Sequence, residues 1–117
     1  MKICYNEANA LNCKNASLET DVEECWRSGF EAIELRFDML RAYLAQHSLD
    51  ELKALFGKYP IQPAGINALY LYPELFTSHP GVDRETALLD DLALAGKLNE
   101  TLGLTDVITV APLNRVN

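Results

Sequence analysis

A chain of 117 residues with 49% hydrophobic residues is long enough for one domain and too apolar for a disordered segment. Its net charge of −7 argues against nucleic acid or an anionic membrane as partner, though it says nothing of one local pocket. No apolar run approaches the ~20 residues of a membrane span. The opening MKICYNEAN turns polar too early for a secretion signal, and Cys4, Cys13 and Cys25 form an odd set without C-x-x-C spacing. Together these predict a cytoplasmic protein with reduced thiols, in which a buried cysteine acts as a small hydrophobe rather than a nucleophile.

The first strand is predicted over Lys2 to Asn6. Ser17 then caps a helix whose Leu18, Val22, Cys25 and Trp26 recur at helical spacing, and Gly29 stops it. The acids Glu19, Asp21, Glu23 and Glu24 read as the solvated face of that helix. A second strand spans Ala32 to Phe37, with Ile33, Leu35 and Phe37 on one face and Glu34 and Arg36 on the other.

The connection from Asp38 to His47 holds Met39, Leu40, Tyr43 and Leu44, enough for one or two helical turns. Ser48-Leu49-Asp50-Glu51 is a capping box opening a helix with Leu49, Leu52, Leu55 and Phe56 buried, ended by Gly57 and barred from continuing by Pro60. A third strand follows from Gln62 to Leu69. The stretch Tyr70 to Val82, carrying Tyr72, Phe76 and His79, is a long loop. Its aromatics read as anchors on an apolar patch or as a cover for a sugar ring.

Asp83 caps the next helix, with a stripe of Leu88, Leu89, Leu92, Leu98 and Leu102 closed by Gly103. The last strand runs from Asp106 to Ala111, and its near-continuous apolar core suits a covered parallel sheet.

These signals give an α/β chain of parallel βα repeats, with four strands and three main helices. Strands recur at about 30 residues per unit, the repeat of a (β/α)8 barrel, so the chain corresponds to half of a TIM barrel in a single partial domain over 1–117. Two open sheet edges would be buried if a second copy completed the barrel by dimerisation. The first βα turn, Asn6 to Asn12, contains no glycine, which removes the dinucleotide-binding alternative.

In such barrels chemistry gathers at the C-terminal ends of strands. Those ends hold Asn6 and Glu7, Arg36 and Asp38, Asn67, and Asn114. A ring of amide, acid and guanidinium suits a hydroxylated substrate, although Asn and Asp also favour turns for their own sake. Glu34 and Arg36 point to the same side and read either as an interior ion pair or as an oxyanion contact with its orienting partner. His47, beside a helix cap, is expected to be exposed. No metal-ligand spacing is visible.

GFEAIELRFDML (Gly29 to Leu40), HSLDELKALF (His47 to Phe56) and IQPAGINAL (Ile61 to Leu69) resemble the N-terminal half of the sugar-phosphate isomerase/epimerase superfamily, with its xylose-isomerase-like TIM barrel. That superfamily includes sugar epimerases and hydroxypyruvate isomerase-like, inosose dehydratase-like and endonuclease IV-like proteins. The acidic balance disfavours the last branch.

The resemblance implies metal-assisted isomerisation or epimerisation of a small sugar or polyol (phosphate) in a complete barrel. The divalent metal would be held by Glu, Asp, His and Glu on strands beyond Asn117, so no ligand is carried onto this chain. It implies substrate contacts near Asn6, Glu34, Arg36 and Asn67. By itself the chain is expected to be inactive, with a non-catalytic half barrel as the alternative.

Overall fold

The computed structural model describes residues 2–10, 13–70 and 81–110. Strand β1 (Cys4–Asn6) runs into a 3-10 turn (Glu7–Ala10), then helix α1 (Leu18–Arg27), strand β2 (Ala32–Arg36) and helix α2 (Phe37–Leu44). Helix α3 (Leu49–Lys58), strand β3 (Gln62–Tyr70), helix α4 (Arg84–Leu102) and strand β4 (Val107–Val110) follow. The four strands form one sheet in the order β1-β2-β3-β4, and every neighbouring pair is parallel.

The caps form where local chemistry calls for them. Ser17 Oγ accepts from Thr20 N at 3.2 Å, Ser48 Oγ from Glu51 N at 3.1 Å, and Asp83 Oδ1 from Thr86 N at 3.2 Å. At the end of α1, Gly29 takes φ 87° while Gly29 N and Phe30 N return to Trp26 O and Cys25 O. That double return satisfies two orphan carbonyls, and its left-handed residue favours glycine.

Two boundary expectations are overturned. Gly57 does not end α3, which runs on to Lys58; Pro60 ends it instead, by forcing the preceding Tyr59 into extended backbone (φ −117°, ψ 99°). Phe37 does not continue β2 but opens α2, whose 8 residues make about the two turns expected in this connection, and it still reaches the core. The described residues thus hold the three main helices expected, α1, α3 and α4, with α2 in the connection between β2 and α3.

In α4 the buried residues are Ala87, Leu94, Ala95 and Leu98, while Leu89 and Leu92 are 58% and 46% exposed. Of the expected stripe, Leu98 is buried and Leu88 and Leu102 pack against the core, so the buried face of α4 joins these leucines to Leu94, Ala87 and Ala95. Trp26 likewise lies outside the buried face of α1 and rests against Tyr59.

One apolar core gathers Leu18, Val22 and Cys25 of α1, Leu40 of α2, Leu52 of α3 and Leu98 of α4 around Ile33, Leu35 and Ile66 of the sheet. A single core shared by all four helices places them on one face of the sheet. That is the layout of a barrel wall and not of a doubly wound sheet, whose helices cover both faces.

Pro63 lies opposite Ile33, where the β2–β3 register shifts, because proline has no N–H for the ladder. Gly65 sits where β3 meets the start of β4: a Cβ there would stand 3.1 Å from Asp106 O, beside the hydrogen bond from Ile66 N to the same oxygen.

The two glycines make opposite predictions in urea unfolding. Gly65→Val should cost about 1–3 kcal/mol through overpacking. Gly57→Ala, helical and with nothing within 4 Å of the new methyl, should stabilise by about 0.5–1 kcal/mol.

Candidate functional site

The parallel register aligns the four residues that the sequence singles out. Asn6 is the cross-strand partner of Glu34, and Arg36 is the partner of Asn67. Glu34 and Arg36 are two apart on β2, so they share a face, and directly opposed residues on parallel strands share theirs. Ile33 and Leu35 point the other way and are fully buried under the helices. Asn6, Glu34, Arg36 and Asn67 therefore form a polar stripe across three strands, on the face that the helices leave.

Asn6 is held at both ends of its amide: Nδ2 donates to Glu34 Oε1 at 3.2 Å, and Oδ1 accepts from Ala8 N at 2.9 Å. Arg36 is almost enclosed, its side chain 7% exposed, and Nη2 meets Asp38 Oδ2 at 2.5 Å. Asp38 also accepts from Met39 N at 2.8 Å, so one carboxylate of the first turn of α2 meets both the guanidinium and a main-chain N–H.

The expected pairing of Arg36 with Glu34 is replaced by Arg36–Asp38 and Asn6–Glu34. Residues two apart on a strand are about 6.6 Å apart along it, whereas an opposed residue is about 5 Å away. Cross-strand Asn6 reaches Glu34 first, and the turn into α2 brings Asp38 back to Arg36. Asn67 completes the stripe, half-buried and followed by a cis peptide to Ala68.

Behind the stripe lies an acid pair. Glu7 is 1% exposed, and its Oε2 accepts the main-chain N–H of Arg36 at 2.8 Å. Its Oε1 and Oδ2 of the buried Asp21 have no partner among the described residues. Burial pushes the Glu7 carboxyl up to about 9, against the Arg36 N–H, which favours the anion; the neighbouring Asp21 and Asp38 add to the rise. Asp21 is raised as well, chiefly by burial, with Glu7 and the Arg36 charge working against that rise.

The expectation that Asp21 belongs to a solvated face is therefore wrong. Leu18, Asp21, Val22 and Cys25 follow the i, i+3, i+4, i+7 spacing of one helix face, so the periodicity that located the core already included this acid.

Other candidates separate from the stripe. His47 is half-buried, not exposed: its ring stacks on Tyr43 with centroids 4.2 Å apart, Nδ1 lies 3.1 Å from Tyr43 O, and Nε2 lies 3.3 Å from Glu19. It joins α2 to α1. Cys25 is buried and pushed up to about 11 by burial, which keeps it a thiol. Tyr72, Phe76, His79 and Asn114 lie outside the described residues.

Among the described residues no three His, Cys, Asp or Glu side chains are grouped to hold a metal. The stripe itself, with two amides, a guanidinium and one carboxylate, fits hydroxyl and carbonyl oxygens and does not fit a divalent cation. No described helix is long and apolar enough to cross a membrane.

Asn6 offers a test of this geometry. Asn6→Ala should cost about 1–2 kcal/mol by removing both hydrogen bonds. Asn6→Asp should cost more at pH 7, because it sets a carboxylate against Glu34. That excess should fade as pH falls through the carboxyl range and the new acid takes up its proton; unfolding at pH 7 and pH 4 measures it.

No family model matches the chain. An inosose isomerase of Halalkalibacterium halodurans is 41% identical over 96 residues, covering 74% of this chain and 33% of the relative. The inosose isomerase of Bacillus subtilis (strain 168) is 42% identical over 73 residues, covering 62% of this chain and 26% of the relative. The chain thus spans about a third or less of the curated relatives it matches.

Among solved structures, the IOLI protein with a binding zinc atom aligns over 100% of this chain and 41% of its own, at TM-score 0.75 and 29% identity. A xylose isomerase domain containing protein from Salmonella typhimurium LT2 aligns over 97% of this chain and 38% of its own, at TM-score 0.65 and 20% identity, a likeness of fold. The chain is homologous to inosose isomerases, and its four parallel strands and four helices match part of a xylose isomerase-like TIM barrel.

Proposed function

We propose that the polar stripe is the substrate-holding wall of an inosose-isomerase-type barrel and that it binds a ring polyol or its keto form. The observation that carries this reading is the register, which puts Asn6 beside Glu34 and Arg36 beside Asn67 on the face without helices. The relatives' name, inosose isomerase, supplies the substrate class.

Each group has a part to play on a ring of hydroxyls. The Glu34 carboxylate accepts from a hydroxyl, and the Asn6 and Asn67 amides can both donate and accept. The Arg36 guanidinium donates from a fixed fork to a carbonyl or hydroxyl oxygen. Asp38 already balances the Arg36 charge, which favours a neutral polyol over a sugar phosphate. Isomerisation moves a proton beside a carbonyl. The residues described here bind and orient the ring, and the proton-moving groups and any divalent metal of a complete barrel fall outside this stripe.

Titration of the 15N-labelled chain with myo-inositol tests the assignment. Amide shifts should centre on Asn6, Glu34, Arg36 and Asn67 and saturate in the millimolar range. Arg36→Met and Glu34→Gln should each weaken binding about fivefold, the worth of one hydrogen bond of about 1 kcal/mol. Shifts centred on the helix layer, or affinities unchanged in both variants, would overturn the reading.

A further inference from the structure

The polyol reading leaves Glu7 and Asp21 unused, although they are buried acids directly beneath the stripe. Glu7 leaves β1 at the start of the 3-10 turn, Asp21 stands on the inner face of α1, and Glu7 Oε2 takes the Arg36 N–H at the end of β2. Three elements meet at these two carboxyls. Yet one oxygen of each, Glu7 Oε1 and Asp21 Oδ2, has no donor among the described residues. The Glu7 and Asp21 side chains act on each other, and as two buried carboxylates they would repel, each leaving an unsatisfied oxygen.

We infer that Glu7 and Asp21 share a single proton, carried on Glu7 Oε1 and donated to Asp21 Oδ2, and that the bridge positions Arg36 by fixing the carboxyl that holds its main-chain N–H. One proton satisfies both orphan oxygens and halves the charge of the pair. Its place on Glu7 follows from the surroundings: Asp21 feels the Arg36 cation, whereas Glu7 is the more buried and has Asp38 and Asp21 as negative neighbours. Among the described residues, Tyr5 of β1 and Cys25 and Glu24 of α1 line the same cavity as Asp21, and burial pushes the Tyr5 hydroxyl and the Cys25 thiol up, toward their neutral forms. The bridge stands without the polyol reading; only its consequence for ligand binding through Arg36 rests on that reading.

Linkage gives the bridge a pH signature. In the folded chain the Glu7 proton is held to about 9, far above its ordinary range. Below about pH 4 the folded and unfolded chains both hold it. As pH rises the unfolded chain ionises first, so stability falls progressively until the folded pair also loses its proton.

The experiment is a carboxyl 13C titration of the full chain, with Glu7 and Asp21 assigned through Glu7→Gln and Asp21→Asn. One of the two carboxyls should stay protonated at pH 7 and titrate near 9, and the urea midpoint should fall between pH 5 and pH 9. Glu7→Gln copies both the acceptor and the donor, so it should retain Arg36 amide protection from hydrogen exchange and flatten that pH slope. Glu7→Ala should lose at least tenfold of the protection.

Two ionised carboxyls at pH 7 in the unaltered chain would overturn the inference, as a bridging water would give. Protection lost as far in Glu7→Gln as in Glu7→Ala would overturn it too. Should Glu7→Ala fail to fold, the titration of the unaltered chain and Glu7→Gln still decide. None of these readouts uses a polyol, so failed inositol binding would remove the stripe reading and leave the bridge standing.

Discussion

All four helices pack on one face of a sheet whose strands follow chain order, and this constraint decides where every polar group can stand. Ile33, Leu35 and Ile66 must face the helices, because their burial drives the assembly. Strand alternation then sends Glu34 and Arg36 to the opposite face without choice. The same register carries Asn6 and Asn67 alongside them. A one-residue slip in any strand would exchange the two sets, so the apolar packing that stabilises the fold also aligns the polar stripe.

The parts of this arrangement legible in the sequence were those set by local chemistry or strict period. Ser17, Ser48 and Asp83 each sit before a helix and cap it within three residues, a relation that no tertiary contact needs to supply. The alternation of β2 is likewise local. What was not legible depended on competition between signals. Gly57 and Pro60 both mark an end to α3, and Pro60 prevails because proline constrains its predecessor whereas glycine merely tolerates a break. In α4, leucine recurs too often to define a face by itself: Leu94 and Leu98 are buried while Leu89 and Leu92 are exposed.

The site shows the same division. Membership of the stripe follows from alternation and register, so Asn6, Glu34, Arg36 and Asn67 could be chosen from the sequence. Their partners could not, because pairing depends on distances between strands and on the abrupt turn from β2 into α2. Asp38 reaches Arg36 only because the helix begins immediately after the strand. Asp21 illustrates a further obstacle: charge argued for solvent while position on the helix argued for the core. Position prevailed, because a second buried acid was there to meet it.

Arg36 is where these levels join. Its main-chain N–H is taken by Glu7, its guanidinium by Asp38, and its Cα lies level with Asn67. A guanidinium enclosed this tightly loses little freedom when it meets a ligand, which is the condition for a weak polar stripe to be selective. Its neutralisation by Asp38 removes the long-range pull of a bare cation and leaves directional donors, suited to uncharged oxygens. The acids beneath it serve a different end from the acid on the stripe. In the proposed reading Glu34 offers its carboxylate to hydroxyls on the face without helices, whereas the proton inferred between Glu7 and Asp21 halves the charge of the buried pair. Two acids of the same chemical type, Glu34 and Glu7, thus take opposite roles through the depth at which each is set.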